Sequence, residues 1–579
     1  MQKQMRQPLN DWLHHTRLHL ARPDALLLLA LLGLITGVIA GAVIVVFRIL
    51  VESTQGSLLP GNLAENYEGL PALLRFLLPV AGGLLIGLIF HHFARGLHVL
   101  GIARLIERLA YHQGHLGLRE FLLQFFGAAV AIGSGHSVGR EGPHVFLGAA
   151  AGSLLGQHFS LPNNSIRTMV GCGTAAGIAA SFNTPLAGVI FALEVVMMEY
   201  TPSSFIPIIL AAVGANGVAV YFLGSDSAFS MPHFQLSSIG ELGVVALLGI
   251  VAGSASALFI QLVQKTSAIS KPWPFWARTT TAGALVGGIG LFLPQVLGIG
   301  YDTVQSILLG ELGMGLLILL VLAKIFATSA SIGMGIPGGI IGPALFIGAA
   351  IGGIVAELPA LLFNTPTADP GFYALIGMGA MMGASLQAPL AALTAIIELT
   401  NSPQVVMPGM LAIVIAGLTS GEIFQKKSLF IAILESSGLN YRTDPVMQSL
   451  RRIGVASVMS QKLVHCHSRN HREALISLLA EAPEWFLVES DGTPSDLIYA
   501  ADLARYAEEA MEEEIDLMEI PARRLQLADI SLQATLQEAV ERLDSSGAEA
   551  LYVARRKKGG GQRILGVLTR EQIESAYRV

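Results

Sequence analysis

Long uncharged apolar stretches dominate the first 440 residues of this chain, at 25–47, 121–139, 168–193, 242–264, 325–356 and 371–397. A hydrocarbon core of about 30 Å takes roughly 20 apolar residues as a helix. The pattern therefore predicts many membrane spans. Residues 25–47 follow a segment holding Lys3, Arg6, Arg17 and Arg22. This stretch exceeds a signal-peptide core and more spans follow it, so it reads as a first transmembrane helix with a cytoplasmic N-terminus. Residues 325–356 enclose GMGIPGGIIGP, too long and too broken for one straight helix. Broken backbone at membrane depth is tolerated only where it is buried in protein or lines a wet cavity. The expectation is a transport pathway.

After residue 440 the pattern changes to short apolar strands alternating with helical stretches: strands at 485–489, 495–500, 550–554 and 564–568, helices at 473–479, 502–507, 532–543 and 570–576. Residues 455–460 read as a further short strand, the acidic 508–519 as a solvated helix face, and 555–561 as a flexible basic hairpin loop near lipid headgroups. Composition follows the same division. Residues 441–579 hold 17 basic and 22 acidic side chains, whereas the first 440 residues hold only 37 charges. A mean hydropathy of +0.61 and 13% charged residues exclude a secreted enzyme, a fibrous protein and a nucleic-acid binder. The net charge of −6 suggests no polyanionic partner. Three regions are expected: a cytoplasmic segment 1–24, a membrane body 25–440 and a soluble domain 441–579. Cys172 and Cys466 fall in different compartments, so no disulfide is expected, and no Cys/His spacing reads as a metal site.

The membrane body is duplicated. GSGHSVGREGPHVFLGAAAG at 133–152 and GMGIPGGIIGPALFIGAAIG at 333–352 share GxGxxxGxxGPxxFxGAAxG at an offset of 200. NTPLA at 183–187, with Glu194, matches QAPLA at 387–391, with Glu398, at an offset of 204. The repeats span about 25–225 and 240–440. Duplicated transporters bind substrate where paired broken helices meet, and free amides at helix starts favour an anion. In GREGP, Gly139 and Gly142 permit close backbone approach, and Pro143 suits a first helical turn. The amides of Arg140, Glu141 and Gly142 would point out of one helix start, those of Ile340 and Ile341 out of the other. Arg140 adds positive charge. Glu141 competes with an anion for the same donors, so it reads as a gate that leaves when protonated.

Blander readings stand beside these. Gly-rich repeats usually serve helix packing, and the Arg-Glu pair inside an apolar stretch is what tips this one toward function. For Glu194 and Glu398, structural pairing or snorkelling stands level with proton handling. His136 and His144 read as ordinary polar or interfacial histidines, and Met197 and Met198 as core or lipid-facing. A dinucleotide loop is discounted without a βαβ context.

GREGP, GGIIGP at 338–343 and NTPLAGVIFALE at 183–194 resemble the CLC family of chloride channels and proton–chloride antiporters, over about 25–441. The resemblance implies an all-α polytopic membrane fold of two inverted repeats with broken helices, a homodimer with one anion pathway per subunit, and a plasma-membrane location with both termini cytoplasmic. It makes Glu141 the external gate and puts Arg140, Gly142, Ile340 and Ile341 at the anion sites. Three departures matter. Leu100, beside Gly101, stands where the family carries a serine, and Phe430 where it carries a tyrosine. Val195 stands where antiporters carry an inner proton-transfer glutamate, directly after Glu194. A hydrogen bond to a charged group is worth about 1.5–3 kcal/mol, so losing two hydroxyls weakens the central site unless amides or Ser428 compensate. The retained Arg140 speaks against fluoride exporters.

The tail looks like a tandem CBS pair, giving a small α/β cytoplasmic domain. Thr569 stands in its GVxTxxD-like motif with Gln572 at the acid, while Asp502 keeps the acid of the first copy. Adenine nucleotide is a candidate ligand there and a structural dimerisation module the simpler reading. The expected function is a passive chloride channel gated by Glu141. Alternatives are proton-coupled chloride antiport, or a nucleotide-sensing membrane protein with vestigial transport. Neither an enzymatic activity nor a required cofactor is expected.

Overall fold

The structure, a computed structural model, describes residues 20, 25–96, 100–225, 239–363, 369–400, 403–439, 445–490, 493–509, 512–556 and 562–578. Nearly all of the N-terminal segment 1–24, Val99, Tyr441 and positions 557–561 of the basic loop lie outside the described residues. Two compact units emerge. One comprises 29–157 and 167–441; the other comprises 1–28, 158–166 and 442–579.

The larger unit is helical throughout. Its first repeat runs α1 (Leu26–Leu58), α2 (Ala72–Phe93), α3 (Gly101–Tyr111), α4 (Leu118–Gly133), α5 (Glu141–His158), α6 (Asn163–Phe182), α7 (Pro185–Phe191) and α8 (Pro202–Leu223). The second runs α9 (Leu242–Ser270), α10 (Phe275–Phe292), α11 (Tyr301–Leu308), α12 (Met314–Gly333), α13 (Ile341–Phe363), α14 (Pro370–Leu386), α15 (Pro389–Thr400), α16 (Val406–Leu418) and α17 (Leu429–Ser436). Among the described residues, seven helices are long and apolar enough to cross a membrane, including α1, α9 and α12. Others, such as α7 and α15, are short because the chain breaks at matched places in the two repeats. Residues 325–356 divide into the end of α12 and the start of α13, with 334–340 as loop between them. Asn183 and Gln387, repeat mates at an offset of 204, both adopt left-handed backbone at φ 58° and 52°. Each halts one helix just before a proline at the first position of the next, α7 or α15.

The other unit carries a six-stranded sheet in the order β1-β3-β4-β6-β7-β8. Its strands are β1 (Leu463–His467), β3 (Trp485–Ser490), β4 (Thr493–Tyr499), β6 (Arg524–Ser531), β7 (Ala550–Arg556) and β8 (Gln562–Thr569). Helices α20 (Arg472–Leu479), α21 (Ala500–Glu509), α22 (Leu536–Ser546) and α23 (Arg570–Arg578) complete it, preceded by α18 (Pro445–Arg452) and α19 (Val455–Val458). The sheet itself is duplicated. β1 pairs parallel with β3 and β3 antiparallel with β4, and β6, β7 and β8 repeat that order. Two expectations are corrected here. Residues 455–458 form a short helix, its start set by the Val455 amide bonding the Ala534 carbonyl at 2.8 Å. The acidic stretch is not one helix. After α21 it turns into β5 (Glu514–Asp516), which pairs with β2 (Arg469–His471) and brings Arg469 against Asp516 at 3.1 Å.

Candidate anion site

The two Gly-rich loops meet at equivalent positions. Gly139 and Gly339, 200 residues apart, exchange a pair of backbone hydrogen bonds, each 2.7 Å. Such contact needs bare backbone: a Cβ on Gly142 would stand 2.7 Å from the Gly339 Cα. Immediately after this bridge α5 starts at Glu141 and α13 at Ile341, so two helix N-termini with unsatisfied amides converge.

The Glu141 side chain is fully buried between them. Its Oε2 accepts from the Gly342 amide at 3.1 Å, and its Oε1 accepts from the Tyr301 hydroxyl. Tyr301 opens α11 and is itself held, its amide donating to Glu65 Oε2 at 3.0 Å. The guanidinium of Arg140 lies 5.4 Å from the Tyr301 ring centroid and 3.5 Å from Glu52, which pairs with Arg48 at 2.6 Å. One amide, one hydroxyl and a nearby guanidinium are donors suited to a small anion, and in this structure the Glu141 carboxylate takes the amide and the hydroxyl.

Neither Gly342 nor Tyr301 figured in the sequence-based expectation. Gly342 could have been found, since it is the repeat mate of Gly142. Tyr301 carries no motif, because a loop brings it in from the preceding helix. Lys324 explains how. This buried cation, the one charge in α12, donates to the carbonyls of Val296, Gly298 and Ile299 at 3.1, 3.0 and 3.1 Å. Its Nζ also lies 4.7 Å from the Phe346 ring centroid. It thereby folds the loop that delivers Tyr301. A lone charge in an apolar span was the available signal.

Leu100, Gly101, Gly142, Ile340 and Phe430 line one chamber of about 80 Å³. Gly101 takes φ +75° at the start of α3, and Phe430 sits in the first turn of α17. The Ser428 hydroxyl does not replace the missing ones: it caps α17, accepting from the Ile431 amide at 3.4 Å. The side chain of Ile341 lines a different, apolar cavity with Phe182 and Phe191.

Glu194 lies in a π-helical turn, Ala192–Met197, that extends α7. Its carboxylate accepts from the amides of Leu390 and Ala391 at 3.2 and 2.6 Å, the first free donors of α15. Glu398 returns the contact, accepting from Leu186 and Ala187 of α7 at 2.9 and 2.7 Å. Each repeat caps the other's helix. Val195 is buried in the apolar core. His136 and His144 are buried too, each with Nδ1 on a serine hydroxyl, Ser134 at 3.0 Å and Ser181 at 2.9 Å.

In the tail, Asp502, Thr569 and Gln572 line one cleft of about 1050 Å³. The Gln572 side chain is engaged locally: the Thr569 backbone N–H donates to its Oε1 at 2.9 Å, and the Gln572 backbone N–H donates back to Thr569 Oγ1 at 3.3 Å.

A family model described as "Voltage gated chloride channel" matches residues 82–421. A "Putative chloride channel protein ClcB-like" from Ralstonia nicotianae is 34% identical over 401 residues, 68% of this chain and 93% of the relative. An "H(+)/Cl(-) exchange transporter ClcA" from Vibrio cholerae is 32% identical over 317 residues, 52% of this chain and 68% of the relative. Among solved structures, a slow cyanobacterial Cl−/H+ antiporter superposes with TM-score 0.63 at 23% identity, covering 71% of this chain and 97% of its own. A eukaryotic CLC transporter does so with TM-score 0.60 at 20% identity, covering 95% and 98%. These two likenesses concern the fold, and the second extends over the C-terminal α/β unit.

Proposed function

Since the chain belongs to the voltage-gated chloride channel (CLC) family, we propose that it moves chloride across a membrane in exchange for protons, with Glu141 as the group at which the two ions meet. The observation that carries this reading is the seat of Glu141. Its carboxylate accepts from the Gly342 amide and the Tyr301 hydroxyl, donors that would serve an anion equally well. Protonation removes the charge that makes this seat favourable, so chloride entry and proton uptake become alternative fillings of one place. The name of the Vibrio cholerae relative supports exchange over passive conduction.

Passive chloride conduction is the second reading. Leu100 and Phe430 leave the chamber without side-chain hydroxyls at those positions, Val195 offers no proton carrier, and Glu194 is occupied as a helix cap. The two readings separate in vesicles holding the purified full chain under a chloride gradient, with proton and chloride movement recorded together. Uphill proton movement is the expected result. Chloride efflux without linked protons would replace exchange by the channel.

The protein is further read as a homodimer in the plasma membrane with both termini cytoplasmic, needing no cofactor and having no enzymatic activity. For the tail, a CBS pair acting as a dimerisation module fits the local engagement of Gln572 better than adenine-nucleotide sensing. Calorimetry of the full chain with ATP and AMP tests this, and heat of binding would restore the sensing role.

A further inference from the structure

Several cations set within the helical body are engaged by fixed partners. Arg104 pairs with Glu107 and Glu120, Arg108 with Glu120, Arg140 with Glu52, and Lys324 with three carbonyls. Arg278, on the first turn of α10, departs from this. Among the described residues its Nε is buried without a hydrogen-bond partner, no carboxylate pairs with it, and no other charged group acts on it. Its guanidinium lies 5.8 Å from the Phe275 ring centroid. It lines the same chamber as Leu100, Gly101, Ile340, Phe430 and Ser437.

A half-buried cation with no fixed counter-charge is costly unless a mobile anion meets it. Guanidinium stays protonated at every physiological pH and offers five donors in a planar fork. Two positions of this chamber where hydroxyl donors were expected carry Leu100 and Phe430 instead, which places the only formal positive charge among its lining residues on Arg278. We propose that Arg278 is an anion ligand of this chain, binding a small monovalent anion such as chloride in the Leu100–Phe430 chamber in place of the absent hydroxyls. The inference rests on the anion-transport reading and adds to it a residue outside the repeated glycine motifs. Because the ligand does not titrate, occupancy of this site is independent of pH, in contrast to the seat held by Glu141.

The test measures chloride efflux from vesicles as a function of chloride concentration, together with chloride binding by calorimetry, for the wild-type full chain, Arg278→Gln and Arg278→Lys. Arg278→Gln is expected to weaken apparent chloride affinity about tenfold or more, the loss of one charged hydrogen bond. Arg278→Lys keeps the charge and is expected to stay within about threefold of wild type, since a point charge replaces the fork. A merely structural arginine would lower the amount of active protein and leave the concentration dependence unchanged. Wild-type affinity in Arg278→Gln overturns the assignment, as does equal weakening in both variants. Wild-type vesicles that retain their chloride would instead overturn the transport reading, and binding by calorimetry would still decide the role of Arg278.

Discussion

The hydroxyl of Tyr301 donates its hydrogen to the carboxylate of Glu141, holding the gate in its seat from a different repeat. A hydrogen bond to a charged group is worth about 1.5–3 kcal/mol. Tyr301→Phe keeps the ring under Arg140 and removes only the hydroxyl. Its seated gate is therefore less populated, and chloride turnover at neutral pH is expected to rise about tenfold by the same energy. Unchanged turnover in vesicle efflux would show that Tyr301 does not restrain Glu141.

Glu141→Gln keeps the shape of the gate and removes its charge. Chloride efflux is expected to persist and to lose its dependence on pH, while any linked proton movement ceases. A pH profile retained in this variant would place the titrating group elsewhere.

The reciprocal caps predict matched losses. Glu194→Ala and Glu398→Ala each expose two helix-start amides, and removal of a cap costs about 0.5–2 kcal/mol. Both variants should melt below wild type in detergent by similar amounts. A Glu194 variant that melts like wild type yet changes proton movement would show proton handling at Glu194.

Lys324→Met leaves three buried carbonyls, those of Val296, Gly298 and Ile299, without their donor. Unpaired buried acceptors cost about 1–3 kcal/mol each before relaxation. A clear fall in melting temperature is expected. It should be accompanied by faster turnover, because the loop that positions Tyr301 loosens. A variant as stable as wild type would show that other packing holds the loop.

In the tail, burial pushes the Cys466 thiol up to about 12, with Glu489 adding to the effect. The thiolate is the reactive species, so at pH 8 almost none is present. In a Cys172→Ala background, Cys466 should resist maleimide until denaturant is added. Rapid labelling of native protein would mean that β1 opens readily.

Much of the architecture was legible because it is written twice. The glycine template aligned Gly139 with Gly339, which the structure brings into contact, and the matched Asn-Thr-Pro and Gln-Ala-Pro segments lie at both helix breaks. What escaped was whatever depends on a single copy. Tyr301 and Lys324 lie outside the two shared templates: the VLGI of 296–299 recurs at 99–102, but no tyrosine follows it there. Arg278 gains its meaning only from the carboxylates that are not near it, and spacing along a chain does not reveal that. β1 and β6 were missed because their alternation is brief: β6 alternates over Leu525 and Leu527, and Asp529 then breaks the pattern.

The bridge between Gly139 and Gly339 joins like to like, each residue giving and receiving the same bond. A contact of this kind is self-complementary, so its two sides need not differ in sequence. Two copies of an undivided ancestral half could have formed it as readily as the two halves of one chain. Around that symmetric bridge the two halves differ: one side carries the Arg-Glu pair, and the other carries Ile340 and Ile341.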